Sequence, residues 1–204
     1  MIKEPLMLTL LRHGRSQADD EQVCGGRYDD SLTSEGIEQA KKLAAYWQQH
    51  TPGFEGIVSS PLQRAKQTAD IIAGALHLNV EVSDVWMERD NGPVAGMPFA
   101  IANERYPQRN LRSRYAPYVD DGGESYMSMV RRAQLGIEKL MQSEYKNVLI
   151  VAHGGILNAA LQDILGTSRA TFAFGDTGFA QVVMSRDKDE AKLLTVGMQP
   201  HLMG

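Results

Sequence analysis

Three separated segments of this chain carry side chains suited to chemistry on a phosphate ester: Arg12-His13-Gly14, Arg64, and His153-Gly154-Gly155. An imidazole nitrogen can attack phosphorus, and a guanidinium fork matches phosphoryl oxygens two at a time. Two histidines with two arginines therefore make a candidate nucleophile with cationic support. Glycine at 14, 154 and 155 would let backbone approach an anion closely. A metal centre built from the histidines and a carboxylate is disfavoured, because the flanking arginines would repel a divalent cation.

These segments cooperate only if the fold gathers them. Leu6 to Leu11, Ile57 to Ser59 and Val148 to Ala152 are short, nearly continuous apolar runs, the pattern of parallel strands covered on both faces. Each leads into one of the reactive segments. Between them the periodicity is helical. Thr33 or Ser34 caps a helix that buries Ile37, Ala40, Leu43, Ala44 and Trp47, and Ser60 with Pro61 opens a second with the stripe Leu62, Ala65, Ala69, Ile72, Leu76. A third follows Ser125 and a fourth follows Gly155. Strands near Phe179 to Met184 and Leu193 to Val196 close the sheet.

The alternation predicts one α/β domain over residues 1–204, a three-layer α/β/α sandwich with a mainly parallel central sheet. The site then lies at the strands' carboxyl ends. Arg64, in the first turn of its helix, would add that helix's positive N-terminus to the pocket. Residues 89–122, rich in Pro, Gly, Tyr and Arg, break the pattern and read as a lid insertion over the site.

Composition narrows the partners. With 204 residues, 21 Lys+Arg, 25 Asp+Glu and a formal net charge of -4, the chain has no general attraction for nucleic acid or an anionic membrane. Any anion site must be local, and the expected partner is a small-molecule phosphate ester; a homodimer stays open. The lone Cys24 excludes an intramolecular disulfide and fits the cytoplasm. The run Leu6 to Leu11 is too short for a signal-peptide core, and no window reaches the roughly 18 apolar residues of a membrane span.

Read in order, LLRHGRS at 10–16, DDSLTSEG at 29–36, SSPLQRAKQTA at 59–69, MERDNG at 87–92, GGES at 122–125 and AHGG at 152–155 resemble the histidine phosphatase superfamily, typified by cofactor-dependent phosphoglycerate mutases and related phosphatases. The resemblance spans almost the whole chain. It implies that His13 attacks phosphorus and carries the phosphoryl group, that Arg12, Arg64 and His153 hold its oxygens, and that Glu88 protonates the leaving oxygen and then activates water. It also implies no metal and no cofactor. Glu88 is expected just beyond a strand ending at Val85-Trp86. Gly25 and Gly26, together with Arg12, Gly14, Arg64 and Gly154, complete the expected substrate-binding set.

Three positions depart from the family's pattern. Arg15 and Asp19 stand where relatives commonly carry glutamate or glutamine and then asparagine, and Asp176 stands at another common asparagine. These three join the substrate-binding set as exchanged charges, with Arg15 expected to compensate Asp19; as plain turn residues, Asp19 and Asp176 would bond nearby backbone N–H groups instead. In the lid, Arg89, Arg105, Arg109, Arg112 and Arg114 alternate with Tyr106, Tyr115 and Tyr118, and either read the leaving group or form a solvated basic cover. His50, His77 and His201 match no motif and are expected at the surface or terminus.

The reading is metal-independent phosphomonoester hydrolysis through a phosphohistidine. Mutase-type phosphoryl transfer is the alternative, made weaker by a chain shorter than the glycolytic mutases. A non-catalytic phospholigand-binding module is the third reading.

Overall fold

The computed structural model describes residues 4–107 and 113–203. Its strands are β1 (Leu6–Arg12), β2 (Gly56–Ser59), β3 (Val80–Val82), β4 (Asn147–Ala152), β5 (Phe179–Met184) and β6 (Ala191–Met198), joined in one sheet in the order β3-β2-β4-β1-β5-β6. β3, β2, β4 and β1 pair in parallel, β5 lies antiparallel to β1, and β6 antiparallel to β5. Only β5 therefore runs against the other described strands. The helices are α1 (Gln17–Glu21), α2 (Ser34–His50), α3 (Gln63–Leu76), α4 (Phe99–Arg105), α5 (Tyr126–Gln142) and α6 (Gly154–Ile164).

Strand alternation divides the core into two layers. Leu8, Leu10, Val148, Ile150 and Ala152 face α5 and α6, meeting Met129, Ala133, Ile137, Ile156 and Leu161. Leu11, Ile57, Leu149 and Val151 face the opposite way, onto Leu43, Ala44, Trp47, Ala65, Ala69 and Ile72 of α2 and α3. Burying each large aliphatic side chain contributes about 1.5–3 kcal/mol relative to leaving it exposed. Burial on both faces is why these strands read as unbroken apolar runs.

Capping follows the sequence at two helices. Thr33 accepts from the Gly36 N–H above α2, and Ser125 from the Ser128 N–H above α5. The start of α3 is different. Leu62 occupies the N-cap, and the Gln63 N–H is taken at 2.7 Å by Asp29, a residue from a distant loop. Ser60 still accepts from the Leu62 N–H, but it lies outside the helix.

The 89–122 excursion contains more structure than expected: a 3-10 turn at Gly92–Val94, then α4, with Val94, Ala102 and Val119 gathered in a small cluster. Arg109 and Arg112 lie outside the described residues. The strand expected to end at Val85-Trp86 stops at Val82, and residues 84–86 form a 3-10 turn that delivers Glu88. Among the described residues, no helix is long and apolar enough to cross a membrane.

Candidate active site

The register of the two central strands sets the site. Arg12 of β1 pairs with Ala152 of β4, so the next residues, His13 and His153, leave the sheet at the same level. Their ring centroids are 5.0 Å apart. The His13 N–H donates to Ala152 O, and its carbonyl accepts from Thr177 N, which fixes the backbone on both sides.

His13 is 5 % exposed. Its Nδ1 lies 2.7 Å from the Gly14 carbonyl, which can only accept, so the proton sits on Nδ1 and the lone pair on Nε2. Arg64 Nε donates to that Nε2 at 3.2 Å. Burial pushes the His13 pKa well below its ordinary 6.5, Arg64 and then Arg12 push it lower, and the Gly14 bond acts weakly the other way. The ring is thus held neutral with Nε2 unprotonated and its lone pair directed at Arg64.

Arg64 is pinned as firmly. Its Nη1 donates to Tyr28 O and to Asp30 Oδ1 at 2.7 and 2.6 Å, and its Nη2 to Gly26 O at 2.8 Å. Its ion pair with Asp30 is almost wholly buried. The main-chain N–H of Arg64 goes to Asp30 O and that of Gln63 to Asp29, so protein acceptors occupy the α3 N-terminus rather than an incoming anion. This corrects the expectation that the helix end faces the pocket.

His153, 1 % exposed, caps α6, and its Nε2 lies 2.8 Å from Ser60 Oγ. Its Nδ1 is buried with no hydrogen-bond partner among the described residues. Burial, Arg64 and His13 all push its pKa well below 6.5. Arg12 donates from Nη1 to Phe174 O, and its Nη2 lies 3.3 Å from Asp176.

Glu88 Oε1 accepts from the N–H groups of Arg89 and Ile156, and Oε2 from Gly155 N, at 2.7, 3.1 and 2.8 Å. The carboxylate thus sits on the positive end of α6. A side chain at 155 would bring its Cβ within 2.4 Å of Glu88 Oε1, so Gly155 makes room for Glu88. Gly14 likewise serves packing rather than an anion: a Cβ there would lie 2.6 Å from Gly36 O of α2.

Arg12, His13, Asp19, Gly25, Gly26, Arg64, Glu88, His153 and Gly154 line one cavity of about 310 Å³, with Ser16, Ala18, Val23 and Phe99. Asp176 stands beside it on Arg12. Arg15 does not line it. Its guanidinium pairs with Asp20 at 2.6 Å, whereas Asp19 closes the capping box of α1 by accepting from the Ser16 N–H. The expected Arg15–Asp19 compensation is therefore replaced by Arg15–Asp20, because the helix start claims Asp19 first.

Three supports carry no reactive signature in the sequence. Thr68 Oγ1 accepts from the Gly14 N–H. Arg132 donates to Val85 O, Met87 O and Glu88 O while forking onto Glu124 of the GGES segment, which clamps the loop bearing Glu88. His201, expected at the surface or terminus, bonds Thr177 Oγ1 at 2.8 Å beneath the His13 loop.

Gly154 is shared with a second cavity of about 610 Å³, walled by Arg89, Arg114, Tyr118 and Tyr126 over Asn158 and Gln162. The Arg114 guanidinium lies 4.5 Å from the Tyr126 ring centre, and that of Arg89 4.8 Å from Tyr118. Among the described residues, no group of three or more His, Cys, Asp or Glu is arranged to hold a metal ion.

A sequence model of the histidine phosphatase superfamily (branch 1) matches residues 8–197. The chain belongs to that family. Among relatives of this histidine phosphatase, the uncharacterized phosphatase PhoE of Bacillus subtilis strain 168 is 35% identical over 77% of the chain and 76% of its own length. The bifunctional protein Rv2228c of Mycobacterium tuberculosis is 36% identical over 73% of the chain, which matches only 41% of that longer protein. The native structure of mycobacterial glucosyl-3-phosphoglycerate phosphatase Rv2419c superposes with a TM-score of 0.81, 23% identity, over 95% of this chain and 99% of its own. That likeness speaks for the fold. The family and its phosphatase-named members make this chain a phosphatase.

Proposed function

We propose that this histidine phosphatase hydrolyses small phosphomonoesters without a metal, through a phosphohistidine on His13. The observation that carries the reading is the fixed tautomer: Gly14 O holds the proton on Nδ1, so Nε2 is the unprotonated nitrogen, and the Arg64 Nε–H that now donates to it can pass to a phosphoryl oxygen as Nε2 attacks. In the first step Nε2 bonds phosphorus as the ester P–O bond breaks, and the Glu88 carboxyl protonates the leaving oxygen. Three backbone donors then await the carboxylate so formed. In the second step Glu88 takes a proton from water, whose oxygen displaces the imidazole. Arg12, Arg64 and His153 Nδ1–H neutralise the equatorial oxygens, which is where phosphoryl transfer needs charge stabilisation.

The second cavity supports a leaving group of some size that carries its own negative charge. Gln162 Oε1 is already taken by Tyr126 and Arg114, and Asn158 by Gly154 and Phe172. Arg89 and Arg114 are the charged groups of the lining, beside Ser113, Ser168 and Thr171, and they favour a carboxylate or second phosphate.

The test is turnover of a generic aryl phosphate, with loss of activity in His13→Ala, and rapid-quench trapping of an acid-labile, base-stable phosphoenzyme located by mass spectrometry. Label on any other residue overturns the assignment. Assaying 3-phosphoglycerate isomerisation in parallel decides whether water or a second hydroxyl is the acceptor.

A further inference from the structure

Arg12, one of the cations at the phosphoryl position, is bracketed by two carboxylates. Asp176 Oδ1 lies 3.3 Å and Asp19 Oδ1 3.9 Å from the same Nη2, and Nη1 is committed to Phe174 O. A phosphoryl dianion entering beside Arg12 therefore meets two negative charges close to the group that should hold it. Neutralising one of them removes the conflict with no movement of backbone. Resting on the phosphoryl-site reading above, we propose that the occupied site carries one extra proton, held on the Asp176 carboxyl beside Arg12, so that substrate is taken as the equivalent of its phosphate monoanion.

The two carboxylates are not equivalent. Asp19 is committed to α1, its Oδ2 accepting from both the N–H and the hydroxyl of Ser16, and its side chain is 36% exposed, so water screens it. Asp176 is more enclosed, with its side chain 20% exposed. Burial pushes its carboxyl up from the ordinary range; Arg12 opposes this most, Asp19 reinforces it, Arg15 lowers it a little and Glu35 raises it a little. Behind it, Gln199 donates to the Asp176 carbonyl and His201 bonds Thr177, with Lys42 of α2 keeping His201 neutral together with burial. The proton is drawn from solvent or arrives on the ester; both routes have the same stoichiometry, and only an O–H bond changes.

Sulfate, a dianion throughout the neutral range, separates this proton from the ligand's own titration. Calorimetric titration of the protein with sulfate, in buffers of different ionisation enthalpy, should show uptake of about one proton per sulfate and affinity falling up to about tenfold per unit of rising pH. Asp176→Asn should bind sulfate with little pH dependence and tighter at alkaline pH, whereas Asp19→Asn should tighten binding and keep the slope. A pH-independent wild type, or a slope that survives in Asp176→Asn and so belongs to His13 or His153, overturns the proposal. Failure of wild type to bind either sulfate or inorganic phosphate would remove the phosphoryl-site reading itself, and this proposal with it.

Discussion

In the proposed mechanism, Glu88 separates the capture of phosphate from its chemistry. Both its oxygens accept from backbone N–H groups at the start of α6, so the side chain faces the site from a fixed seat. In Glu88→Gln one oxygen becomes an NH₂ directed at those donors, and no proton can be passed. We expect kcat to fall by about 10²–10⁴-fold, the usual contribution of general acid/base work, with inhibition by inorganic phosphate changed only a few-fold. Steady-state kinetics with phosphate as inhibitor measure both; a matching loss of phosphate affinity would make Glu88 a binding residue instead. At this scale the sequence exposes His13, Arg12, Arg64, His153 and Glu88 as the candidates that the fold brings to one cavity, because residue type and order single them out. It hides Ser60 and Thr68, whose hydroxyls differ in no way from those of any surface turn, and it misassigns Arg15, whose partner depends on which aspartate the first helix claims.

Among the elements, the turn at residues 175–178 and the C-terminal segment act as one support. Thr177 is β-branched, fully buried and held at φ 53°, a conformation that costs about 1–3 kcal/mol unless its surroundings impose it. They do: its N–H holds His13 O, its hydroxyl donates to Asp176 O and accepts from His201, and Gln199 donates to the same Asp176 carbonyl. His201→Ala leaves the Thr177 hydroxyl without its donor. We expect a loss of about 1–3 kcal/mol of stability in urea melts and a lower kcat on an aryl phosphate, both largely recovered in His201→Gln, which keeps an N–H donor. Full activity in His201→Ala would show that the turn holds itself. None of this was legible in a histidine three residues from the end. The buried strands and α2 were legible, since burial on two faces and a 3.6-residue stripe leave direct signatures. The end of β3 was not, because Val80–Val82 is a short, half-exposed edge strand that gives way to a 3-10 turn before Val85-Trp86, nor was the start of α3, which Asp29 supports from 34 residues away.

For the molecule as a whole, the neutral histidines make the fold sensitive to acid. The α/β architecture followed from the alternation of runs, but the pH response depends on burial that only the packed structure supplies. His13 and His153 have pKa values well below 6.5, and burial first, then Lys42, lowers that of His201 to about 4. Above the unfolded value of 6.5 all three are neutral in both states, so they contribute no slope. Below it the unfolded chain takes up protons that the fold refuses, and stability falls with pH by up to about 1.4 kcal/mol per unit for each such histidine, until the folded pKa is reached. Asp163 and Asp176, raised chiefly by burial, act in the opposite direction, but only nearer the carboxylate range. Urea melts should therefore lose free energy steadily as pH drops from 6.5, and His153→Gln should make that loss shallower by about one proton's worth. A wild-type profile that stays flat down to the carboxylate range would mean that these rings accept protons while folded. His13 could not then remain a neutral nucleophile under mildly acidic conditions, so this melt tests the catalytic assignment without measuring catalysis.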